Sequence, residues 1–366
     1  MAPKTVVIIG GSFGGLKVAR GLLKDVPVAA PRILAKPKAF SKNQYLIPIK
    51  DGFTSYGENF KLIVGTATEI DETNRAITIL RSDTDDRFTL EYDYLVIASG
   101  SSTASATDGA LAPFKRFGSS DLSEQISNIQ KSIASAKSII IGGAGPIGIE
   151  LVGELTEARR TEAIITLVSA TKQLLPMLKK SSGDTAEKIL KRRGVRIIKG
   201  SKVTNAVNQG FSWEVTLSDG QILNADLYIS AVGVTPNNSF IPKEFLDKNG
   251  WVEVDEQFHV TGSKNKNIYA IGDITALPTR TVMKIDERFP ILVDNLKADI
   301  LKSASKRPTY VTSAEIEKSK AMMFVPIGAG AGTGQMMGMT PWSWVVKMIK
   351  GKDFFVPKAA SLAGLA

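Results

Sequence analysis

Cysteine is absent from this sequence of 366 residues, and histidine occurs once, as His259. Without cysteine the chain can form no disulfide, thiolate nucleophile, dithiol redox centre or iron–sulfur cluster of its own. A single histidine leaves little for a histidine-rich metal site or a Ser-His-Asp relay. Because His259 lies in an alternating segment, we expect it to face solvent and to play no catalytic part. Any redox chemistry must therefore come from a bound cofactor.

Long apolar runs and an excess of acid are missing as well. No stretch of about 20 apolar residues occurs, so no transmembrane helix is predicted. The N-terminal Met-Ala-Pro-Lys matches neither a signal peptide nor a myristoylation start. The 46 lysines and arginines outnumber the 36 aspartates and glutamates, which gives a net charge of +10. This excess favours anionic partners such as phosphates, membrane surfaces or nucleic acid, and the length allows two or three domains.

The chain repeats one pattern at an interval of 133 residues. An apolar strand leads into glycines and then into an amphipathic helix at Val6 and again at Ser138. Each copy closes with another apolar strand and a glycine, Gly100 in the first copy and Gly233 in the second. Alternating segments within each copy predict a β-meander, at 61–79 with 88–90 and at 195–203 with 213–223. Two copies of one dinucleotide-binding unit explain this pattern.

Glycine-rich turns join strand to helix in both copies. The second turn is Gly143-x-Gly145-x-x-Gly148, followed by Glu150. The first turn has serine at its middle position and comprises Gly10, Gly11, Ser12, Phe13, Gly14 and Gly15. Such a turn lets a pyrophosphate approach the backbone at a helix N-terminus, where unpaired N–H groups favour anions. Either motif alone also suits a plain structural turn, but the pair predicts two dinucleotide sites.

An acid that binds the ribose hydroxyls should end the next strand of each unit. In the second copy that strand, 163–168, is followed by Ser169, with Lys172 close by. Without a carboxylate there a 2′-phosphate is not repelled, so NADPH is accepted as well as NADH. The alternative is that Ser169 and Lys172 are merely solvated.

The first copy has no recognisable second strand. Residues 24–38 contain three prolines and no apolar run longer than three residues. Asp25 comes too early to bind a ribose, and the next acid is Asp51. Residues 31–34 could form a short substitute strand, with Lys36 behind it. This gap is the main conflict in the sequence.

A third element, 267–273, is a short buried-type strand that ends in Gly272 and Asp273. Coming after two glycine turns, its Tyr-Ala-Ile-Gly-Asp resembles the flavoproteins with two dinucleotide-binding domains. The closest likeness is to the apoptosis-inducing-factor-like group with the ferroptosis-suppressor (AMID-type) NAD(P)H:quinone oxidoreductases, and more distantly to type II NADH dehydrogenases. The likeness covers nearly the whole chain, including 28–34 and 350–355. It implies an α/β fold with two Rossmann-like dinucleotide-binding domains and a small C-terminal α+β domain.

The resemblance also implies domain bounds and a flavin site. The FAD domain would combine 1–103 with 236–310, around an NAD(P)H domain at 104–235, and 311–366 would form the C-terminal domain. The residues implied for FAD are the first glycine turn from Gly10 to Gly15, Arg32 near the pyrophosphate, the Ala67 backbone at the adenine, Ser99 and Gly100, and Gly272 and Asp273 at the ribityl chain. A helix that begins near Met283 would direct its N-terminus at the flavin and stabilise negative charge on it.

The same resemblance implies the nicotinamide site and the activity. Those implied for NAD(P)H are Gly143, Gly145, Gly148 and Glu150, with Ser169 and Lys172 beyond them and Gly233 near the nicotinamide. The protein would pass a hydride from NAD(P)H to FAD and electrons on to an acceptor, a quinone by preference and otherwise a protein carrier or the ascorbate radical. Lys284 is the weakest acceptable candidate for an acid or base.

In the resembled family, the segment like 28–32 follows a second strand with an acidic end. Here it follows Asp25-Val-Pro directly, as if a strand and its loop were cut out, and the FAD ribose contact would be lost with them. Either this deletion is a gene-model or splicing error, or the protein binds FAD poorly. The alternative function is therefore a catalytically impaired protein that binds dinucleotides or acts in apoptosis signalling.

Two segments near the C-terminus allow two interpretations each. The glycine-rich 328–334 could be a third phosphate loop, but no amphipathic helix follows it and a hairpin is favoured. The tail 341–355 mixes tryptophans with lysines, so it either packs on the flavin domain, which we favour slightly, or lies at a membrane interface. We expect a cytoplasmic protein, with the tail able to touch a mitochondrial or lipid-droplet membrane. Nucleic acid is not the expected partner, because the basic run 188–193 is typical of a solvated helix end.

Overall fold

The computed structural model describes residues 3–11, 15, 30–45, 56–82, 84–103, 110–111, 122–159, 162–304, 306–313 and 322–356. The predictions for Ser12, Phe13, Gly14 and the first amphipathic helix beyond Gly15 lie outside these residues. Within them, the chain forms an α/β fold with two parallel sheets, each carrying an antiparallel meander. We number strands and helices in chain order.

The first unit begins the chain. Its elements are β1 (Val6–Ile9), α1 (Ala30–Ala35), α2 (Lys42–Tyr45), β2 (Gly65–Asp71), β3 (Ala76–Arg81), β4 (Arg87–Glu91), β5 (Tyr94–Ile97) and β6 (Ser101–Thr103). Strands β2, β3 and β4 pair antiparallel, which confirms the predicted meander. Strand β5 pairs parallel with β1, and both consist of the β-branched and apolar residues that a covered parallel sheet requires.

The second unit follows. Its elements are α3 (Leu122–Ser135), β7 (Ser138–Gly142), α4 (Pro146–Ala158), β8 (Ile164–Ser169), α5 (Lys180–Arg192), β9 (Arg196–Lys199), β10 (Val203–Asn208), β11 (Trp213–Leu217), β12 (Ile222–Ala225), β13 (Leu227–Ser230) and β14 (Val234–Pro236). Strands β13, β7, β8 and β9 form a parallel sheet in that order. The strands β10 to β12 form the second meander, which confirms the part predicted at 213–223. The prediction that 195–203 belong to it is wrong for Arg196–Lys199, because these residues form β9 and pair parallel with β8.

The chain then returns to the first sheet. The remaining elements are β15 (Ile268–Ala270), α6 (Val282–Ile300), β16 (Met323–Ile327), β17 (Ala331–Gln335) and α7 (Ser343–Val346). Strand β15 pairs parallel with β5, so the first sheet has the order β1-β5-β15. Strands β6 and β14 pair antiparallel where the chain enters and leaves the second unit. In the described part of the chain, no helix is long and apolar enough to span a bilayer.

Equivalent atoms make equivalent contacts in the two units. Asp93 accepts a hydrogen bond from the Thr5 N–H at 2.8 Å, and Asp226 accepts one from the Ser138 N–H at 2.9 Å. Each acid thereby fixes the start of the first strand of its unit from the residue before the last strand. The Lys137 and Ser138 N–H groups hold the pKa of Asp226 below its ordinary value. The repeat read from the sequence is therefore present in the hydrogen bonding.

Helix α1 overturns the substitute strand predicted at 31–34, which is wrong. Its Ile33, Leu34 and Ala35 are buried in the hydrophobic core of the second unit, together with residues of α3 and α4. Pro31 lies in the first turn, where the missing N–H costs no hydrogen bond. The burial of these three side chains against another unit favours the helix, although the three prolines nearby argued against regular structure.

His259 is also misjudged by the sequence pattern, because it is buried rather than exposed to solvent. Its ring lies 4.5 Å from that of Tyr269 on β15, and its Nε2 lies 3.2 Å from a carboxylate oxygen of Asp299 on α6. The glycine-rich 328–334, by contrast, forms the turn and second strand of the β16–β17 hairpin, as predicted. The tail divides: Val346 and Phe354 are buried, whereas Trp342 and Trp344 are exposed.

A buried ion pair fixes α1 to the second unit. Arg32 lies 2.7 Å from Glu154 of α4, and their side chains are 5% and 0% exposed. Lys36 adds a second contact to the same carboxylate at 2.9 Å. The remaining Arg32 bonds go to the backbone carbonyls of Gly351 and Lys352 in the tail. One guanidinium therefore joins α1, α4 and the tail.

We expect Arg32→Ala to lower the free energy of unfolding by about 3 kcal/mol, because Glu154 would keep a buried charge with one partner fewer. The matched control is Lys180→Ala, which breaks an ion pair whose side chains are 79% and 56% exposed and should cost about 0.5 kcal/mol or less. Urea denaturation measures both. Equal losses in the two variants would contradict the assigned role of Arg32.

Candidate functional site

Three strand ends of the first sheet meet at one edge. Strands β1, β5 and β15 run parallel, so the residues that follow them, Gly10, Ser99 and Gly272, lie together. Backbone hydrogen bonds continue past the strands, from the Ala98 N–H to Ile9 and from the Ile271 N–H to Ile97. The carboxyl edge of a parallel sheet is where such folds bind ligands. Sequence-predicted FAD residues from three distant segments therefore share this edge.

Only glycine fits the described ends of the first turn. Gly10 has a φ of +123°, and a Cβ there would overlap the carbonyl oxygen of Ala98. A Cβ on Gly15 would overlap the carbonyl oxygen of Gly10. The residue that opens the helix therefore lies directly against the end of β1. This is the close strand-to-helix approach that a dinucleotide turn needs.

Asn237 is a residue of this edge that our sequence reasoning missed. Its side-chain amide donates to the Ser99 carbonyl at 2.8 Å and its backbone N–H donates to that of Gly100 at 3.1 Å. The Ser99 hydroxyl donates to the Asn237 carbonyl, and the Ser102 hydroxyl to its side-chain oxygen. Asn237 directly follows β14, the strand by which the chain leaves the second unit. Its hydrogen bonds thus fix the turn after β5. The signal available in the sequence was a polar residue directly after Gly233 and the strand β14 that follows it.

Asp273 lies in a single 3₁₀ turn, Gly272–Ile274, at the end of β15. The Ser101 hydroxyl lies 3.4 Å from its carboxylate. Helix α6 starts at Val282, close to the predicted position. The candidate Lys284, on this helix, donates to Glu287 at 2.6 Å. Lys284 is thus engaged in an ion pair on the helix itself.

The second turn has the same close approaches as the first. Gly143 has a φ of +110°, and a Cβ there would overlap the Ala231 carbonyl oxygen. A Cβ on Gly148 would overlap the Gly143 carbonyl oxygen. Gly145 differs, because a Cβ on it would meet only the Met177 methyl, at 3.9 Å. Open space therefore faces the N-terminus of α4, where a pyrophosphate fits.

The end of β8 presents a lysine and no acid. Ser169 is buried, and its hydroxyl donates to the Thr171 carbonyl at 3.0 Å. The role predicted for Ser169 at a ribose stays a prediction. Lys172 is exposed in the loop that follows. Gly233 is the predicted nicotinamide neighbour, and a Cβ added to it would meet no described atom within 4 Å, so space is open there too.

Glu150 and Arg32 have partners other than those that the resemblance implied. Glu150 is buried on α4 and accepts a hydrogen bond from Lys350 of the tail at 2.6 Å. Burial raises the pKa of Glu150, although the Lys350 charge opposes the shift. The contacts of Arg32 within the described residues are with Glu154, the tail carbonyls and the Phe354 ring. An approach of Arg32 to a FAD pyrophosphate would require it to give up these bonds.

The residues present fit NAD(P)H in the second unit, where a glycine turn, a helix N-terminus and open space coincide. In the first unit they fit the flavin and phosphate part of FAD, through Gly10, Ser99 and Asp273. Ala67 lies in β2 at a shift in its pairing with β3. A parallel strand beyond β1, with an acid for the adenosine ribose, is absent from the residues that the structure describes. The fit therefore covers the turn, the helix N-terminus and the open space in the second unit, and it is partial in the first.

Comparisons with known proteins agree with this architecture. The model of the pyridine nucleotide-disulphide oxidoreductase family matches residues 4–288. The sequence is 34% identical to the oxidoreductase ptaL of Pestalotiopsis fici, over 96% of each chain. It is 26% identical to ferroptosis suppressor protein 1 of Homo sapiens, over 96% of this chain and 93% of that one. Its fold is similar to that of NDH2 from Plasmodium falciparum, solved with NADH, with a TM-score of 0.65, 14% identity and coverage of 99% of each chain.

Two glycines of the second turn should respond differently to alanine. We expect Gly145→Ala to leave the free energy of unfolding unchanged and to weaken NADH binding about tenfold or more, because its Cβ enters the open space before α4. Gly148→Ala should lose stability as well, because its Cβ overlaps the Gly143 carbonyl. Calorimetric titration with NADH and urea denaturation separate the two effects.

Gly330→Ala, in the hairpin turn, is the control, since a Cβ there meets nothing within 4 Å. It should change neither quantity. Unaltered NADH affinity in Gly145→Ala would show that the space before α4 is not the binding site.

Proposed function

Because the chain belongs to the pyridine nucleotide-disulphide oxidoreductase family, we propose that it is an FAD-dependent NAD(P)H oxidoreductase that reduces a small molecule of the quinone class. The family binds FAD and NAD(P)H. Bound flavin supplies the redox chemistry, and the protein supplies binding and orientation. The acceptor is the part that this proposal adds.

One observation carries the choice of acceptor: two dinucleotide turns occur in a chain without cysteine. A redox-active disulfide needs two cysteines, so none can act between the flavin and the acceptor. The acceptor must therefore come to the flavin itself. A quinone suits this requirement, because it takes up two electrons with two protons and needs no covalent partner on the protein.

An apolar surface near the C-terminus supports an apolar acceptor. We call it the tail surface, and its exposed side chains are Met337, Met339, Trp342, Trp344 and Met348. The same segment continues into Lys350, which binds Glu150 on α4. The segment that carries the tail surface therefore contacts α4, the helix that follows the second turn. The membrane contact predicted for this tail stays a prediction.

A second candidate function is a catalytically impaired protein that binds NAD(P)H and acts through that binding. The partial fit of the first unit favours it. The two candidates differ in whether flavin is bound and whether it turns over.

The test is oxidation of NADH and NADPH by the purified protein with a soluble quinone, with and without added FAD. We expect a flavin absorption spectrum and oxidation that depends on the quinone. Binding of NADH without oxidation at any FAD concentration would favour the impaired protein.

Lys172 should favour the binding of NADPH over that of NADH. Its positive charge lies at the strand end where other dinucleotide-binding units have an acid, which would repel the 2′-phosphate. We expect Lys172→Met to lower kcat/KM for NADPH about tenfold and to leave NADH nearly unchanged. The matched control is Lys188→Met, which changes an exposed lysine on α5 and should alter kcat/KM for neither nucleotide. Steady-state kinetics with both nucleotides measure this, and equal losses for the two would contradict it.

A further inference from the structure

We propose that the first unit binds its flavin through the isoalloxazine, ribityl and first phosphate alone, so that FMN binds about as tightly as FAD. This inference rests on the proposed function, since it assumes that the first unit holds a flavin. It concerns which part of the cofactor the chain recognises.

The two units can be compared position by position. In the second unit β8, which carries the adenosine end of the site, covers Ile164–Ser169. The same offset of 133 residues that relates Gly10 to Gly143 leads back from β8 to residues 31–36. Those positions form α1 and the residue after it, not a strand. The second strand of the first unit is thus replaced by a helix at equivalent positions.

Helix α1 is also committed elsewhere. Its apolar residues lie in the core of the second unit. By the offset of 133 residues, Lys36 is the residue equivalent to Ser169. It contacts Glu154 at 2.9 Å and Glu157 at 2.7 Å. Arg32 is held by Glu154 and by two tail carbonyls. Neither cation is left to contact the adenosine half of a cofactor, and no acid stands at this position to accept its ribose hydroxyls.

The sequence between the first turn and α1 is short. Residues 16–29 are all that separate Gly15 from Ala30. In the second unit the helix α4 alone takes 13 residues, and β8 takes 6 more after a turn.

The burial of the first strands agrees with this difference. Strand β7 has neighbours on both sides, and four of its five residues are buried. All four residues of β1 are partly exposed, and within the described residues its one neighbour is β5. Among the described residues, nothing therefore covers the side of β1 on which the adenosine strand would lie, unlike in the second unit.

The flavin half of the site keeps its parts. Gly10 and Gly15 make the close turn, Asn237 fixes Ser99 and Gly100, and Asp273 lies at the third strand end. FMN and FAD share the isoalloxazine ring, the ribityl chain and the first phosphate, which these residues can contact. FAD adds only an adenosine monophosphate, and a charge-assisted hydrogen bond to its ribose would contribute roughly 10- to 100-fold in affinity. Without that contact, the two flavins should bind alike.

The experiment titrates flavin-free protein with FMN and with FAD and follows the quenching of flavin fluorescence. We expect dissociation constants within about threefold of each other. The second unit is an internal control, because the exposed Lys172 lies at its adenosine end, so that NADPH should bind there about 100-fold more tightly than reduced nicotinamide mononucleotide. ADP should displace NADH from the protein and leave FAD in place.

Asp273→Asn tests the shared half and should weaken FMN and FAD by the same factor, about tenfold. FAD binding that is more than about 30-fold tighter than FMN binding would overturn the inference and leave the proposed function intact. Displacement of FAD by ADP would overturn it in the same way. If neither flavin binds, both the inference and the proposed function fail.

Discussion

A carboxylate without solvent exposure lies where three parts of the chain meet. Glu154 forms ion pairs there with Arg32 of α1 and with Lys36, the residue that follows α1. The same arginine holds the tail through two carbonyls. This buried ion pair holds the tail against α4. It also holds α1 in the second unit, away from the first sheet.

The sequence predicted most of the fold because its signals are local and repeated. The described glycines of the two turns, the first meander, the strand before Asp273 and the start of α6 near Met283 follow from patterns of a few residues, and they agree with the structure. The second meander was predicted in part, because Arg196–Lys199 pair with the parallel sheet instead. Asn237 escaped because its importance lies in partners more than a hundred positions away in the chain. Its amide has meaning only once β14 lies beside β6.

Two other failures have the same physical origin. Helix α1 and the burial of His259 are decided by tertiary packing, which overrides weak local preferences. Residues 31–34 suit a short strand or a short helix equally, and the core of the second unit selects the helix. His259 alternates as a surface residue would, yet Tyr269 and Asp299 enclose it. The residues of the glycine turns were therefore easier to predict than residues whose environment depends on the packing of distant side chains.

The side of β1 that has no neighbouring strand within the described residues bears on how these molecules behave toward one another. An uncovered strand edge can pair with the edge of a second molecule and start association. The net charge of +10 opposes such encounters, because like-charged molecules repel at a distance. Salt shortens the reach of that repulsion from about 10 Å at 0.1 M to about 3 Å at 1 M. Colloidal stability should therefore decline in concentrated salt, which makes low ionic strength the safer condition for storage.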